Sequence, residues 1–403
     1  MAANIASVRC CIAGGGPAGI ILGLLLARAG VDVLVLEKHA DFLRDFRGDT
    51  IHPSTLEVMH ELGFLEDLLQ LPHQKAPRLN AQFGDLALTI ADFTHLPTHC
   101  GFIAFMPQWD FLNFLAERGA RYPTFTLRMR AEVTGLIEEG GRVVGLHATT
   151  PDGPLEVRAH LVIGADGRHS VVRARAGLQV DEFGAPMDVL WFRLSRRPGD
   201  PDNPMGRFDI GRIFIMLPRG DYWQGGFVIP KGSLEQLHGR GLPAFRDSVA
   251  QIAPFVADRV GELADWNAIK LLTVQVDRLS QWYRPGLLCI GDAAHAMSPV
   301  GGVGINLAIQ DAVAAANLLA APLRADRLTV KDLRLVQRRR EWPTRLTQRF
   351  QIFVQNRVIR RVLDSTGQLV PPLLLRLLAR LPFLTRIPAR MIGVGFRPEH
   401  VQD

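Results

Sequence analysis

A strand–turn–helix–strand pattern at residues 8–37 constrains the fold of this chain more than any other feature. The run 8–13 is short and apolar, which is typical of a buried parallel strand. Three glycines then follow with G-x-G-x-x-G spacing, at Gly14, Gly16 and Gly19. The first permits a tight turn, the second lets the backbone approach a pyrophosphate, and the third lets the following helix pack closely on the strand.

The second strand of this unit, predicted at 31–36, is followed by an acidic residue, Glu37. A carboxylate about 20 residues beyond the glycines is placed to bond the ribose hydroxyls of a dinucleotide. A turn that only joins two buried elements would need neither three glycines nor this acid. The sequence therefore predicts a dinucleotide-binding unit, and these residues alone leave NAD and FAD equally open.

Length and cysteine content bound the class of protein. The 403 residues allow two domains, or one large core with inserted segments. The four cysteines have neither disulfide nor metal-ligand spacing, which predicts free thiols and a reducing cytoplasm. No run of about 20 uncharged apolar residues occurs, so we expect no membrane span. The N-terminal apolar run lacks the cleavage site of a signal peptide.

The net charge of +6 is unevenly distributed. From Arg324 onward there are 17 Lys/Arg against 6 Asp/Glu, a balance of +11, so the rest of the chain carries −5. A basic tail can face a membrane, a nucleic acid or an anionic small molecule. It lacks the interleaved aromatics of a single-strand binder, which argues against nucleic acid. Solvated helix faces are the ordinary interpretation.

The order of predicted elements separates two kinds of structure. Residues 184–276 are rich in strand signals and aromatics and indicate a mostly antiparallel sheet with a helical insert at 233–262. The other elements fit a nucleotide-binding half: helices at 54–69 and 108–120, strands at 124–137, 142–149, 156–162 and 286–290, and a helical, arginine-rich end with its last helix opened by Pro371 and Pro372.

Three glycine–aspartate signals recur in order: GGGPAG at 14–19, GADG at 164–167 and GDAAH at 291–295. On these motifs the chain, up to about residue 320, resembles the flavin-dependent aromatic hydroxylases, the group A single-component monooxygenases with the para-hydroxybenzoate hydroxylase fold. The resemblance implies an α/β protein in which a Rossmann-like FAD-binding domain is interleaved with a mostly antiparallel β-sheet substrate domain, followed by a helical C-terminal segment. The expected boundaries are 1–78, 108–178 and 278–345 for FAD binding, 79–107 and 179–277 for substrate, and 346–403 for the tail.

The resemblance also implies FAD-binding roles at matching positions. They are Gly14, Gly16, Pro17, Ala18 and Gly19 at the pyrophosphate, Glu37 and Lys38 at the adenosine ribose, Arg47 and Gly48 in the segment RGDTIHPSTLE, Gln108 at the ribitol or pyrophosphate, and Asp166, Gly167, Gly291 and Asp292 from the second and third motifs. An arginine offers pyrophosphate a planar, charged fork. The structural alternatives are helix caps for Asp166 and Asp292, a surface ion pair for Arg47, and a polar first-turn residue for Gln108.

The loop PVGGVGIN at 299–306 follows the third motif directly. Its glycines leave backbone N–H groups unbonded, and a helix is predicted to begin near Gly304, so the loop suits the anionic edge of a reduced flavin. The resemblance places Pro299 beside the reacting flavin edge, and near the pyrimidine it places Gly302, Val303, Gly304, Ile305 and Asn306. The alternative is a glycine-rich loop that caps a core helix.

The candidate catalytic residues are Pro299, His52 and Asp49. His52 and His295 lie inside the matched segments, and His169 adjoins the second motif. For each histidine, a structural role is the alternative to a catalytic one. No metal site and no nucleophilic triad are expected.

The substrate pocket is expected to be walled by the antiparallel sheet and by Thr50 from the Arg47 loop. The sheet candidates are Arg212, Phe214, Met216, Trp223 and Phe227, with Phe192 as a further aromatic. Because side chains alternate across a strand, only about half of them can face one pocket, and the sequence leaves the register open. Aromatics suit a bulky planar substrate, and they suit an ordinary sheet core equally well.

The activity implied by the resemblance is that of a cytoplasmic FAD-dependent monooxygenase. It would use NAD(P)H and O2 to hydroxylate or epoxidise an electron-rich aromatic, polyketide- or quinolone-like molecule through a flavin C4a-hydroperoxide, as a monomer or homodimer. Two other classes remain: an FAD-dependent reductase or dehydrogenase acting on a quinone or isoprenoid at a membrane surface, and a non-catalytic flavin-binding sensor. The tail at 371–396 lies on a membrane or packs on the protein, and Pro382 and Pro388 favour packing because they break a continuous amphipathic face.

Overall fold

The computed structural model describes residues 4–43, 50–367, 369 and 371–402. Its strands are β1 (Asn4–Ala13), β2 (Val33–Leu36), β3 (Thr50–Ile51), β4 (Gln74–Ala76), β5 (Arg78–Phe83), β6 (Leu86–Asp92), β7 (Ile103–Phe105), β8 (Phe125–Arg128), β9 (Glu132–Glu139), β10 (Arg142–Thr150), β11 (Gly153–Gly164), β12 (Val180–Glu182), β13 (Met187–Ser195), β14 (Met205–Asp209), β15 (Arg212–Arg219), β16 (Tyr222–Pro230), β17 (Lys270–Leu272), β18 (Asp277–Leu279), β19 (Tyr283–Arg284) and β20 (Leu287–Cys289).

The α-helices are α1 (Pro17–Arg28), α2 (Pro53–Glu61), α3 (Leu65–Leu68), α4 (Gln108–Gly119), α5 (Val171–Arg175), α6 (Leu234–Arg240), α7 (Leu242–Ile252), α8 (Gly304–Arg324), α9 (Val330–Val354), α10 (Arg360–Leu363), α11 (Leu373–Arg380) and α12 (Arg386–Gly393). A π-helical turn, Gln355–Ile359, joins α9 to α10, and 3-10 turns include Pro254–Glu262 and Val300–Gly302.

The main sheet has a parallel centre in the order β20-β11-β1-β2-β8. Its strands are buried apolar runs, as expected for a parallel sheet covered on both faces. Ala13 pairs with both Gly164 and Leu36, and Gly164 pairs with Cys289. The carboxyl ends of four strands therefore lie level at one edge, where the predicted glycine motifs begin.

The long strand predicted at 124–137 is two strands in the structure. β8 pairs parallel with β2, whereas β9 pairs antiparallel with β10. Between them Arg130 adopts a left-handed conformation with φ of +54°, which extended backbone does not allow. Likewise, the helix predicted at 54–69 is divided into α2 and α3 at Gly63, whose φ is +71°.

The second sheet has the order β17-β13-β16-β15-β14-β5-β6, antiparallel except for the β14–β5 pair. Its rear face packs under α7 and the turn Pro254–Glu262 in one apolar cluster. Its front face packs against another cluster that includes Val300 and side chains from α10 and α11. The expected α/β fold with a mostly antiparallel second sheet is confirmed, and the exact domain boundaries stay a prediction.

The C-terminal half supplies core helices. α8 packs between α1 and α9. The segment Val300–Arg324 is long and apolar enough to cross a membrane, but 72% of its most apolar window is buried inside the protein, as in a core helix. α11 and α12 pack on β6, so the tail does pack against the protein.

Candidate active site

The three glycine motifs meet at the level strand ends. A Cβ on Gly14, which has φ of +104°, would lie 2.4 Å from the carbonyl oxygen of Ala165 in the second motif. A Cβ on Gly291, in the third motif, would lie 3.1 Å from the Cβ of Ala18. Residues that are far apart in sequence are thus in contact, in the crevice where open α/β sheets bind ligands.

Gly19 and Gly16 differ in what surrounds them. A Cβ on Gly19 would lie 1.9 Å from the Gly14 carbonyl oxygen, so this glycine is required for α1 to pack on β1. A Cβ on Gly16 would meet nothing within 4 Å. Gly16 is the N-cap of α1, Pro17 is its first residue, and the first-turn N–H groups of a helix have no intrahelical partners. The space and the donors fit a pyrophosphate.

Glu37 is buried at the end of β2, as the dinucleotide motif requires. Its Oε2 accepts a hydrogen bond of 2.9 Å from the Gly15 N–H, and its Oε1 accepts one of 3.0 Å from the His39 N–H. The carboxylate therefore fixes the glycine turn. The neighbouring Lys38 is exposed.

Asp166 in the second motif takes the helix-capping role that was the alternative interpretation. Its carboxylate accepts hydrogen bonds from the Ser170 hydroxyl at 2.5 Å and from the Val172 N–H at 3.1 Å, at the start of α5. Burial raises the pKa of this carboxyl against the opposing effect of those hydrogen bonds. Gly167 has φ of +84° and open space at its Cβ position, so the turn itself is accessible to a ligand.

Asp292 in the third motif is not a cap. Its Oδ2 lies 3.1 Å from Nε of Arg168, and both side chains are partly exposed at the crevice. The interpretation of the sequence missed Arg168, although it directly follows GADG. A cation in this position joins the second and third motifs and places positive charge beside the dinucleotide crevice.

The loop after the third motif is held from the N-terminal side. Gly301 and Gly302 have φ of +77° and +65°, which favours glycine at both positions. The Thr50 hydroxyl donates to the Gly302 carbonyl oxygen at 3.1 Å, and the Thr55 hydroxyl donates to Oδ1 of Asn306 at 2.5 Å. Oδ1 of Asn306 is thus bonded inside the protein, and the Val303 side chain is buried.

The donors left to a ligand at this loop are main-chain N–H groups and Nδ2 of Asn306, which has no hydrogen-bond partner among the described residues. α8 begins at Gly304, so the N–H groups of Gly304, Ile305 and Asn306 have no partner within the helix. Pro299 is half-buried just before the 3-10 turn. This arrangement fits an anionic flavin edge, and the flavin roles of these residues stay a prediction.

His52 is placed as a structural histidine. It is fully buried, and its Nδ1 lies 2.9 Å from the carbonyl oxygen of Ile392 in α12, to which it donates. Burial lowers its pKa from 6.5 to about 4, although backbone hydrogen bonds oppose this shift. A neutral ring that is bonded to the main chain ties α2 to the C-terminal helix, and this geometry does not support the catalytic role expected for His52.

The buried His52 predicts a pH dependence of stability. Because the folded pKa lies below the unfolded one, the native protein binds fewer protons between pH 6.5 and about 4. The free energy of unfolding should fall with decreasing pH in that window, by up to about 1.4 kcal/mol per pH unit from this group. Urea unfolding of the wild type and of His52→Gln across the window tests this. The variant should show a shallower slope, and parallel curves would contradict the assignment.

His295 is likewise internal. Its Nε2 lies 2.6 Å from Oδ2 of Asp311 in α8, and both residues are almost fully buried. The same carboxylate accepts from Nε of Arg340 at 3.0 Å and from the Gly291 N–H at 3.1 Å. Burial alone would raise the pKa of Asp311, but His295 and Arg340 outweigh it and hold the pKa low. Through the Gly291 N–H, this buried ion cluster holds the backbone of the third motif in place.

A row of three glutamines, two on α9 and one at the start of the π-helical turn that follows it, holds the segment that leads into the loop at 299–306. Gln348 donates to the carbonyl oxygens of Asp277 and Ala296. Gln351 accepts from the Ser298 N–H at 3.2 Å and donates to the carbonyl oxygens of Ser298 and Val300 at 2.9 Å. Gln355 donates to the Ser298 hydroxyl at 2.6 Å. All three are buried, and they fix the backbone on both sides of Pro299.

Gln351 is expected to be a positioning residue for this loop. Gln351→Leu leaves buried backbone groups of Ser298 and Val300 unbonded, which should cost about 1–3 kcal/mol of stability. It should also raise the fraction of NAD(P)H oxidised without product formation, because Pro299 is no longer fixed.

Gln337→Leu is the matched control for Gln351. Gln337 is a buried glutamine of the same helix, and it bonds the Trp282 N–H and the Ser280 carbonyl oxygen away from the loop. It should lower stability and leave coupling unchanged. Equal coupling in both variants would refute the positioning role.

The predicted substrate residues of the sheet lie on its rear face. Phe214, Met216, Trp223 and Phe227 belong to the rear cluster under α7, together with Phe192. Arg212 donates to Gln251 of α7 at 2.6 Å, on the same side. Because side chains alternate along a strand, a shift of one residue exchanges the two faces, and this packing does not support the substrate role expected for these residues.

The front face therefore presents the intervening residues. Trp191 and Ile215 pack with Val300 in one cluster. Gly226 lies under the Trp191 ring, and a Cβ there would come within 2.8 Å of it. Gln224 is buried on the same face, and its Oε1 accepts from Nε of Arg219 at 3.1 Å.

Arg47, Gly48 and Asp49 lie outside the described residues, so their predicted roles stay predictions. Gln108 is the first residue of α4 and is half-buried, where either a ligand contact or a first-turn role is compatible with its position. Among the described residues, no cluster of three or more His, Cys, Asp or Glu side chains could hold a metal ion.

The crevice, its glycines and its helix N-termini define a dinucleotide-binding α/β protein. The second sheet of this protein faces the loop at 299–306. A family model described as an FAD binding domain matches residues 7–349. The chain belongs to this family.

Comparison with known proteins agrees. The chain is 34% identical over 377 residues to 6-methylpretetramide 4-monooxygenase from Streptomyces rimosus, covering 92% of this chain and 89% of that protein. Several further curated relatives, at 26–30% identity, are longer, and the chain covers only 57–65% of them.

Two solved structures show the same fold. OxyS anhydrotetracycline hydroxylase from Streptomyces rimosus has a TM-score of 0.75 at 24% identity, covering 96% of this chain and 76% of that one. The p-nitrophenol 4-monooxygenase PnpA from Pseudomonas putida DLL-E4 has a TM-score of 0.76 at 19% identity, covering 96% and 97%. The resemblance to the single-component aromatic hydroxylases is confirmed, and the chain is an FAD-dependent monooxygenase that uses NAD(P)H.

Proposed function

We propose that this monooxygenase oxidises a polycyclic, polyketide-like aromatic in the space between the flavin loop and the front face of the second sheet. The relative from Streptomyces rimosus that is 34% identical to this chain is named for a 6-methylpretetramide substrate. The chain's own support is the front face, where Trp191, Ile215 and Val300 form one apolar wall that ends in the Gln224–Arg219 pair. An apolar wall with few polar groups suits the faces of a flat ring system.

The residues have distinct tasks in this proposal. The N-terminus of α1 and the Gly16 space hold the FAD pyrophosphate, and the first-turn N–H groups of α8 hold the flavin's anionic edge. When bound, FAD supplies the redox chemistry that takes hydride from NAD(P)H and gives one oxygen atom of O2 to the substrate. Pro299 and the front face exclude water, and the glutamine row fixes the loop. We also retain the cytoplasmic location and the monomer or homodimer as proposals.

Trp191 is the proposed specificity residue. Its Nε1 is shielded from solvent and has no hydrogen-bond partner among the described residues, so it is positioned to donate to a substrate oxygen. Trp191→Phe keeps an aromatic side chain, which is smaller than the indole, and removes the donor. It should raise KM about tenfold, the effect of roughly 1.4 kcal/mol, with little change in thermal stability.

Trp223→Phe is the matched control for Trp191→Phe. Trp223 lies on the rear face, and its Nε1 donates to Asp200 at 2.9 Å. Its replacement should lower stability and leave KM unchanged. If Trp191→Phe leaves KM at the wild-type value, the proposed wall is wrong.

The activity test is NAD(P)H oxidation with a panel of polycyclic and simple phenols under labelled oxygen. We expect substrate-stimulated oxidation and one 18O atom in the product. Oxygen-independent turnover of a quinone would favour the reductase alternative, and binding without turnover across the panel would favour the sensor. Turnover of simple phenols alone would refute the polycyclic substrate class while leaving the monooxygenase intact.

A further inference from the structure

The C-terminal helices α11 and α12 have two different faces. Their inner faces are buried in the protein: Leu375 and Leu378 pack in the front-face cluster, and Ala389 and Ile392 pack with Phe93 and Ile103. Their outer faces expose large apolar side chains instead. The exposed fractions are 73% for Leu373, 39% for Leu377, 39% for Leu381, 60% for Phe383 and 59% for Ile387.

Four exposed arginines accompany these apolar side chains, namely Arg376, Arg380, Arg386 and Arg390. None of them has an ion pair or a side-chain hydrogen bond to any residue that the structure describes. No Asp or Glu occurs from residue 365 to residue 398. We call the five apolar residues and the four arginines together the C-terminal patch. Such a combination of exposed apolar area and uncompensated positive charge has no partner within the chain.

The two kinds of side chain share a surface. In α11, Leu373 and Leu377 are four residues apart, as are Arg376 and Arg380, and this spacing brings each pair to the solvent side of the helix. Pro382 follows the end of α11, as the sequence predicted, whereas Pro388 lies in the first turn of α12 and does not interrupt that helix. The outward apolar character nevertheless continues past the break, at Phe383 and Ile387.

We propose that the C-terminal patch docks this enzyme on the surface of an anionic lipid bilayer. The arginines match lipid phosphates, each worth about 1 kcal/mol near an anionic surface. The leucine, isoleucine and phenylalanine side chains enter the boundary between headgroups and acyl chains. A single surface of this kind satisfies both features of the patch at once.

A second copy of the chain matches the patch less well. A two-fold symmetric interface brings the same residues of both subunits together. Four arginines from each subunit would then meet without an acidic residue between them. Like charges at close range are repulsive, so the patch is poorly suited to pair with itself.

Docking has a consequence for the substrate. α11 covers the front-face cluster, so a docked enzyme holds this side of the second sheet near the lipid surface. An apolar polycyclic molecule that partitions into lipid would then reach the enzyme from the bilayer. This consequence depends on the proposed substrate class, whereas the docking itself does not.

The test is flotation of the full-length holoenzyme with vesicles of equal phosphatidylglycerol and phosphatidylcholine, compared with pure phosphatidylcholine. We expect binding to the anionic vesicles that is lost at high salt. Arg376→Gln with Arg380→Gln should weaken binding about thirtyfold, the equivalent of roughly 2 kcal/mol. Leu373→Ser, Phe383→Ser and Ile387→Ser together should abolish it. Turnover of a water-soluble phenol should stay unchanged in each variant.

The matched control is Leu335→Ser with Trp342→Ser on α9, which removes exposed apolar side chains of 46% and 53% exposure outside the patch. It should bind vesicles as the wild type does. Failure of the wild type to bind anionic vesicles would overturn the proposal. Vesicle binding that survives the patch substitutions would also overturn it. So would dimerisation of the chain, or capture of an acidic protein, if either depends on the patch while vesicle binding is absent.

Discussion

Replacing Gly16 with valine is expected to weaken FAD binding about a hundredfold while the apoprotein stays folded. A valine side chain at this position meets no protein atom within 4 Å of its Cβ, and the backbone at φ of −73° and ψ of −176° suits it. Only a bound pyrophosphate would contact the new methyl groups. Losing two charge-assisted hydrogen bonds to the phosphates, at about 1.5 kcal/mol or more each, gives that factor.

Titration of the apoprotein with FAD, followed by flavin fluorescence, measures the Gly16 effect. Gly239→Val is the control, because Gly239 lies in α6 and its Cβ position is equally open. Both apoproteins should melt within a few degrees of the wild type. Wild-type affinity in Gly16→Val would show that the pyrophosphate does not approach this glycine.

Replacing Asp311 with alanine is expected to destabilise the protein by about 3–5 kcal/mol, the cost of leaving a buried charge without its partner. Arg340 and His295 are 1% exposed and both bond this carboxylate. The Gly291 N–H would also lose its acceptor, so FAD affinity should fall together with stability. Urea unfolding of the apoprotein and FAD titration provide the two measurements.

A double variant tests whether the loss of stability at Asp311 comes from the buried charge or from the shape of the side chain. Asp311→Leu with Arg340→Met removes both charges and should cost less than the two single changes added together, because Glu399, the other carboxylate that bonds Arg340, keeps its ion pair with Arg339. Asp326→Ala removes a carboxylate that bonds Arg9 and His160 on the exposed surface and should change the stability little. A surface-sized effect at Asp311 would contradict the ion cluster.

The local motifs could be predicted from the sequence because their requirements are local. Gly14 and Gly19 are glycines since nearby backbone excludes a Cβ, and the strand–turn–helix spacing alone indicates this. Glu37 could be predicted in the same way, because its position directly after the second strand belongs to the same local spacing. The meeting of the three motifs at one sheet edge required only that the strands be parallel, and their order in the chain resembled that of a known family.

The substrate wall could not be predicted, since it depends on register. Phe214 and Ile215 are adjacent, equally apolar and on opposite faces, and only the partners of β15 decide which one faces the flavin loop. The roles of Gln351 and Asp311 depend on contacts across 53 and 29 residues. Such long-range pairs leave no periodic signal in the sequence.

The glutamine row also bears on when, during synthesis, the protein can bind its cofactor. Gln348, Gln351 and Gln355 complete a loop that precedes them by about 50 residues in the chain. During synthesis the first βαβ unit emerges early, with its glycine turn complete, but the loop lacks these three glutamine partners until α9 and the turn after it have left the ribosome. Flavin loading is therefore a late event in synthesis, and fragments ending before residue 348 should stay colourless even when their main sheet has folded.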